Sequence, residues 1–339
     1  MGNIPQTMSK NPTDNLADPA LARELRQALS AALLALARGD SALLRPPTQP
    51  GWQAGAQGHY HSAPELFLQL SGWTQFTFPQ GGCRLQAGQA LLLPPQLQHA
   101  ETVGADAPGA GGAGGSGGSG GEFRNLLVYA EGTALSVHLA NEVQPGQPGI
   151  LHLEVRQLPV VAQMAQQLLA ASQRQGEGGS AGCSTGHGES DGTLDDWRAR
   201  GLVSATLAQA LQLLEQPPSE QQDEPAAVAR TRLLVKNQLG DPELSVRGLA
   251  LQAACSADYL SHLFHRHSGE TLVGYITRLR MERALQLLAS SRMAIKEVAW
   301  ACGYNSPGYF IQTFRRLQGQ TPSAWRQSAA GRLGATGPD

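Results

Sequence analysis

Cysteine is scarce in this chain of 339 residues, and Cys83, Cys183, Cys255 and Cys302 form no closely spaced pair. That scatter argues against a zinc ribbon or a disulfide framework and predicts a protein of the reducing cytoplasm. No run of about 18 apolar residues occurs, so no membrane span is expected. The first residues lack a basic stretch followed by an apolar run, so no signal peptide is expected either. No Ser/His/Asp constellation and no dinucleotide fingerprint is present. The glycine tract at Gly111–Gly121 has neither the lysine nor the helix start of a phosphate loop.

Strong net charge is also missing, at -2 for the whole chain. The small total conceals a split. From Ala226 to Asp339 there are 14 Lys/Arg and 7 Asp/Glu, a balance of +7. The remainder holds 11 basic and 20 acidic residues, a balance of -9. A basic C-terminal part suits a polyanion, whereas an acidic N-terminal part would be repelled by one and is expected to sense or to dimerise.

What is present is a local pattern given twice, at Leu244–Gly269 and Ala294–Gly319. Each copy reads as a short apolar-periodic helix, a tight turn, a capping serine and a second helix ending in basic residues and glycine. That is a helix-turn-helix signature. In the first copy Ser245 caps a helix over Val246–Ala253 that buries Val246, Leu249 and Ala250. Ser256 caps a helix to about His267, with Leu260, Leu263 and Phe264 inward. Ala257, Asp258, Ser261, His262 and His265 are left outward as DNA contacts, with Arg266 toward phosphate. In the second, Ser306 and Pro307 open a helix with Phe310, Phe314 and Leu317 inward. Pro307, Gly308, Ile311, Gln312, Arg315 and Arg316 are its candidate DNA contacts. Between the copies, Leu272–Leu288 predicts a helix of roughly 25 Å, with Arg278, Arg280 and Arg283 outward. It would act as a strut holding the readers about one DNA turn apart, near 34 Å. Thr321-Pro322 is expected to end the last helix, and Trp325 to close the small core. Pro307 and Gly308 offer few polar contacts, so the first reader is expected to supply more base readout.

Upstream, the chain divides by composition. Residues 1–48 are a polar tail and an amphipathic helix, Pro19–Arg38. Residues 49–158 alternate short apolar runs with Gly and Pro and predict strands of an antiparallel barrel, interrupted by a Gly-rich loop at 104–121. Residues 159–216 are helical, with a polar loop at 173–193 in which Cys183 and His187 are expected to be passive. This region is a candidate for pairing with a second subunit. Residues 217–225 form a Pro-rich acidic linker, 226–328 the DNA-binding domain and 329–339 a tail.

Two resemblances follow. His59-Tyr-His61, Glu65 and Gly72, with Gly88, Pro94 and His99, resemble the two motifs of the cupin family, though Gln96 stands where a Gly is usual and Val103 where an Asn is usual. On a strand His59 and His61 would share a face. With Glu65 and His99 they form either a three-His, one-carboxylate shell suited to a divalent transition metal or the polar lining of an effector pocket.

The C-terminal repeat resembles the AraC/XylS family of bacterial transcription regulators. Leu249, Ala250, Ser256, Leu260, Phe264 and Gly269 carry the resemblance in the first copy. Ala299, Gly303, Tyr304, Ser306, Tyr309, Phe310, Phe314, Arg315, Gly319, Thr321, Pro322 and Arg326 carry it in the second. Ala254 stands where the family often has Gly.

The expectation is an α+β multidomain chain, with an N-terminal cupin-like antiparallel β-barrel and flanking helices before a C-terminal all-α double helix-turn-helix domain. The resemblance implies a transcription regulator rather than an enzyme. It would bind double-stranded DNA, answer to a small-molecule effector, act as a homodimer, and contact RNA polymerase if it activates. Two alternatives stay open: a cupin-type metalloenzyme or metal sensor fused to a DNA-binding domain, and a ligand-free DNA binder whose barrel only dimerises.

Overall fold

The computed structural model describes residues 18–46, 59, 61, 63–78, 81–105, 122–173, 193–216, 225–253 and 255–334. The glycine tract from 106 to 121, the loop from 174 to 192 with Cys183 and His187, the linker from 217 to 224, Ala254 and both chain ends lie outside the described residues. The described residues group into two compact units, one drawn from Met1–Pro50 and Ala63–Ala226, the other from Gly51–Ser62 and Ala227–Asp339.

The first unit runs α1 (Pro19–Arg38), β1 (Leu43–Leu44), β2 (Glu65–Ser71), β3 (Trp73–Phe78), β4 (Gly81–Gln86) and β5 (Ala90–Leu93). It continues with β6 (Ala100–Gly104), β7 (Arg124–Glu131), β8 (Ala134–Gln144), β9 (Gln147–Gln157), α2 (Val161–Ser172) and α3 (Leu194–Glu215). Two sheets form, one of six strands in the order β1-β5-β2-β7-β8-β9 and one of three in the order β4-β3-β6. The closed barrel expected from the sequence is therefore corrected to two sheets among the described residues. The physical cause lies at the end of β2. Its register shifts between Gln69 and Ser71, and Gly72 takes a φ of 65°, which turns the chain out of the large sheet and into β3. A Cβ at Gly72 would stand 2.4 Å from the Gly104 carbonyl oxygen, so no other residue fits that corner.

Alternation along the strands sorts the two faces of the large sheet. Leu66, Leu68, Leu126, Val128, Val137 and Leu139 face the helices, while Phe67, Leu91, Leu93 and Leu127 face the small sheet with Phe76 and Leu85. The helices answer with stripes at three- and four-residue spacing: Leu25 and Leu29, then Met164 and Leu168, then Val203, Leu207, Ala210 and Leu214. Each fully buried leucine of this set contributes ~2 kcal/mol. Arginines hold both ends of α3. Arg45 pairs with Asp195 at 2.9 Å and with Asp196 at its start. At its end Arg26 donates to the Leu214 carbonyl at 3.0 Å and Arg156 to the Leu213 carbonyl at 3.4 Å, and both pair with Glu154. The cations thus satisfy carbonyls that a helix C-terminus leaves open.

The second unit is α4 (Ala226–Asn237), α5 (Val246–Gln252), α6 (Ala257–Ser268), α7 (Leu272–Ser290), α8 (Ile295–Ala301), α9 (Pro307–Gln318) and α10 (Pro322–Gly334). Short polar side chains start most of these helices. Ser245, Ser256, Thr271, Ser306 and Thr321 accept from the amides of Gly248, Tyr259, Gly274, Tyr309 and Ala324 at 3.1–3.3 Å. Gly269 and Gly319 stop α6 and α9 at φ 73° and 74°.

Three expectations need correction here. Thr321-Pro322 does not merely end a helix but opens α10, because proline at the first helical position loses no hydrogen bond. Leu317, expected inside, is 48% exposed, in the last turn before Gly319. Of the three arginines expected to point outward from α7, only Arg278 does; Arg283 is 6% exposed and Arg280 half-buried.

Candidate nucleic-acid interface

The two readers are built alike. α6 and α9 each span 12 residues between a capping serine and a left-handed glycine. Leu260 and Phe264 are the buried anchors of α6, and Phe310 and Phe314 those of α9. Arg232 lies over the rings of Phe264 and Tyr275, 5.1 Å from each centroid. The second core joins Phe310 and Phe314 to Met281, Ala284, Leu287, Val298, Ala299 and Tyr304, with Trp325 packed against it as the sequence predicts.

This packing decides which predicted contacts reach solvent. On α6, Asp258, His262, His265 and Arg266 are exposed, and Ala257 and Ser261 are half-buried. The Ser261 hydroxyl donates to the Ala257 carbonyl at 2.7 Å, which leaves it an acceptor for a ligand. On α9, Gly308, Gln312, Arg315 and Arg316 are exposed and Pro307 is half-buried. Ile311 is also half-buried and packs partly on the second core, so it is less outward than expected.

Sequence reasoning left Tyr259 and Tyr309 out of the contact set, although they are 56% and 61% exposed at matching positions of the two helices. The signal was available: each lies three residues after its capping serine. Arg278 points out but pairs with Glu270 at 2.7 Å and Glu282 at 2.8 Å. Its positive charge is already matched, unlike that of Arg266, Arg315 and Arg316, for which no ion pair occurs among the described residues.

Cys302 follows α8 and is fully buried beside Arg283 and Arg280. Burial pushes its thiol up to about 12, against the lowering pull of the two guanidinium groups. Burial also raises the Tyr304 phenol to about 12. Both groups are neutral when native, so the stability they support is complete below their ordinary values of 9.0 and 10.0 and is lost as pH rises toward about 12. The unfolding midpoint of the second unit should therefore fall from about pH 9 upward. Cys302→Ala should reduce that alkaline slope; an unchanged slope would refute the assignment.

Two of the candidate effector residues, Glu65 at the start of β2 and His99 just before β6, come together inside the protein. His99 Nε2 lies 4.0 Å from Glu65 Oε2 and 3.5 Å from Glu101 Oε1, and its Nδ1 meets the Leu97 carbonyl at 2.9 Å. The Leu97 contact orients the ring so that Nε2 faces the carboxylates. Burial holds the Glu65 carboxyl well above the usual carboxylate range, and the Glu101 charge adds to the shift. Glu101 was missed by the sequence reading, although it lies two residues beyond His99 on an extended segment. The rings of His59 and His61 stand edge-to-face with centroids 4.8 Å apart. Gln96, at the position where the cupin motif has glycine, adopts the left-handed φ of 65° that glycine takes freely.

The doubled, serine-capped helix pairs with their outward polar faces define a helix-turn-helix DNA-binding domain. Residues 249–328 match the family described as a helix-turn-helix domain, and the C-terminal part of this chain is a domain of the AraC type. The transcriptional regulatory protein YesN of Bacillus subtilis (strain 168) is 32% identical over 109 residues, which cover 31% of this chain and 30% of YesN. The transcriptional activator RhaR of Escherichia coli O1:K1 / APEC is 36% identical over 75 residues, 22% of this chain and 27% of RhaR. A solved DNA-binding transcriptional dual regulator from Escherichia coli K-12 is 30% identical, covering 34% of this chain and 99% of that one, with a TM-score of 0.29. The chain thus spans less than a third of the length of these curated relatives. Among the described residues no helix is long and apolar enough to cross a membrane.

Proposed function

We infer that this protein is a sequence-specific DNA-binding transcription regulator. One observation carries the reading: two serine-capped helices, α6 and α9, repeat the same anchors, and each presents exposed polar and basic side chains on the face away from its core. Such helices enter successive major-groove segments. His262, His265, Asp258 and Gln312 meet base edges, and Arg266, Arg315 and Arg316 meet phosphates. The regulators YesN and RhaR support the same assignment.

The first unit then serves as the sensor. Glu65, His99 and Glu101 suit a cationic or hydrogen-bonding small molecule, and the same donor types would accept a divalent metal. Homodimerisation and contact with RNA polymerase complete the reading, with effector binding setting the activity. A metal-dependent sensor is the second reading, favoured by the orientation of the His99 ring. Elemental analysis of the purified protein separates the two.

The test is selection from a random-sequence duplex library by the full-length protein. It should enrich a site with two preferred blocks about 10 base pairs apart, centre to centre. No enrichment over input would overturn the function. On the selected duplex, His262→Ala should relax sequence preference more than Gln312→Ala, because α9 begins with Pro307 and Gly308, which bring no polar side chains. A larger relaxation from Gln312→Ala would reverse the division of labour between the readers.

A further inference from the structure

The arginines that α7 turns inward lie where the two halves of the DNA-binding unit meet. The turn after α4 carries the carbonyls of Leu239 and Asp241. Arg280 donates to both, through Nε at 3.2 Å and Nη2 at 2.7 Å. On its other side the same guanidinium lies 5.4 Å from the Tyr304 ring centroid. Tyr304 in turn packs against Tyr309 and Phe310 at the start of α9, with ring centroids 6.0 and 5.4 Å apart.

Backbone meets backbone at this joint. A Cβ placed on Gly303, whose φ is 76°, would stand 2.6 Å from the Leu239 carbonyl oxygen and 2.7 Å from Arg280 Nη2. One placed on Gly240 would stand 3.3 Å from the Ala301 carbonyl oxygen and 3.4 Å from Arg283 Nη1. The turn of the first half is therefore seated on the turn of the second, with α7 guanidinium groups filling the seam.

We propose that Arg280 is a positioning residue that fixes the spacing and rotational phase of the two recognition helices by pinning the Leu239–Asp241 turn to the Gly303–Tyr304 turn. The proposal rests on the two-reader function above and deepens it. The long helix α7 alone sets an approximate separation but leaves bending and twist as soft modes. A planar guanidinium engaged on two carbonyls at once removes that freedom, because its donors are held in a rigid fork. The position favours a cation, since the turn follows the C-terminus of α4, which carries the negative end of the helix dipole, and the Leu239 and Asp241 carbonyls both accept from the guanidinium. Lysine would keep the charge but present a single ammonium in place of the planar fork. Arg280 touches no base and acts through the placement of α6 and α9.

The experiment uses full-length protein and the duplex selected from the random library, with roughly one to five base pairs inserted between its two blocks. Wild-type protein should lose about tenfold or more in affinity as the insertion moves one block off the facing side of the DNA. Arg280→Lys should bind the parental duplex more weakly and show a flattened spacing profile, with a smaller difference between parental and inserted sites. Its thermal unfolding midpoint should stay close to wild type. If the lysine variant does not fold, Arg280→Gln, which retains a donor for one carbonyl, carries the same test. A uniform loss of affinity with the wild-type spacing profile, or no change at all, would overturn the positioning role while leaving the two-reader function in place. Wild-type binding that ignores the insertions would overturn that function, and the positioning role with it.

Discussion

Replacing Phe314 by alanine should destabilise the second unit by about 3–5 kcal/mol, the cost of opening a large cavity in a packed core. The ring is fully buried, with Phe310 at 5.8 Å and the side chains of α7 and α8 around it. Domains hold only about 5–15 kcal/mol in total, so this loss is a large share of what keeps α9 in place. Calorimetry should show a lowered transition, and footprinting of the selected duplex should lose protection over one of its two blocks. Leu317→Ala, three residues along the same helix, should change stability by no more than about 0.5 kcal/mol because the side chain is half exposed. Equal losses at the two positions would contradict the side-chain placement described above.

The second large effect is electrostatic. Binding should weaken steeply with salt, since each neutralised phosphate releases counterions with a slope of about -0.9 in log affinity against log salt concentration. If Arg266, Arg315 and Arg316 were the only phosphate contacts, affinity would fall by about 40-fold between about 50 and about 200 mM salt. Converting any one of them to alanine should reduce the slope by about one unit and weaken binding to all sequences alike. Arg278→Ala should leave the slope unchanged, because Glu270 and Glu282 already match that charge. A salt-independent affinity, or an equal response at Arg278, would remove the phosphate roles.

Much of the reader was legible because its signals are local. The limits of α6 and α9 follow from Ser256 and Ser306 as caps and from Gly269 and Gly319 as stops. Their buried faces follow from three- and four-residue spacing. The same local reading failed at Pro322, where a residue that breaks helix interiors opens a helix once Thr321 stands before it as a cap. It failed at Leu317 because periodicity records a face and not how far the core extends beneath it.

The first unit was less legible. Strands and their alternation were apparent in the sequence, but pairing is a long-range choice. The shift at Gln69/Ser71 and the left-handed Gly72 send β3 into a second sheet, and neither feature marks itself as a sheet boundary in the residue pattern. His99 and Glu101 join Glu65 only because β2 and the start of β6 come together in space.

The sequence by itself determined the doubled helix-turn-helix, its caps, its anchors and most of its outward face, because those depend on residues within a few positions of one another. Only the tertiary structure decided how the two copies are joined. Arg278, Arg280 and Arg283 are the same residue type on one helix, yet one faces solvent and two turn inward, because the Leu239 and Asp241 carbonyls that accept from Arg280 and the left-handed Gly303 turn lie on one side of α7. Which guanidinium groups stay in solvent and which turn inward depends on that neighbourhood, about 40 residues away along the chain from Arg280.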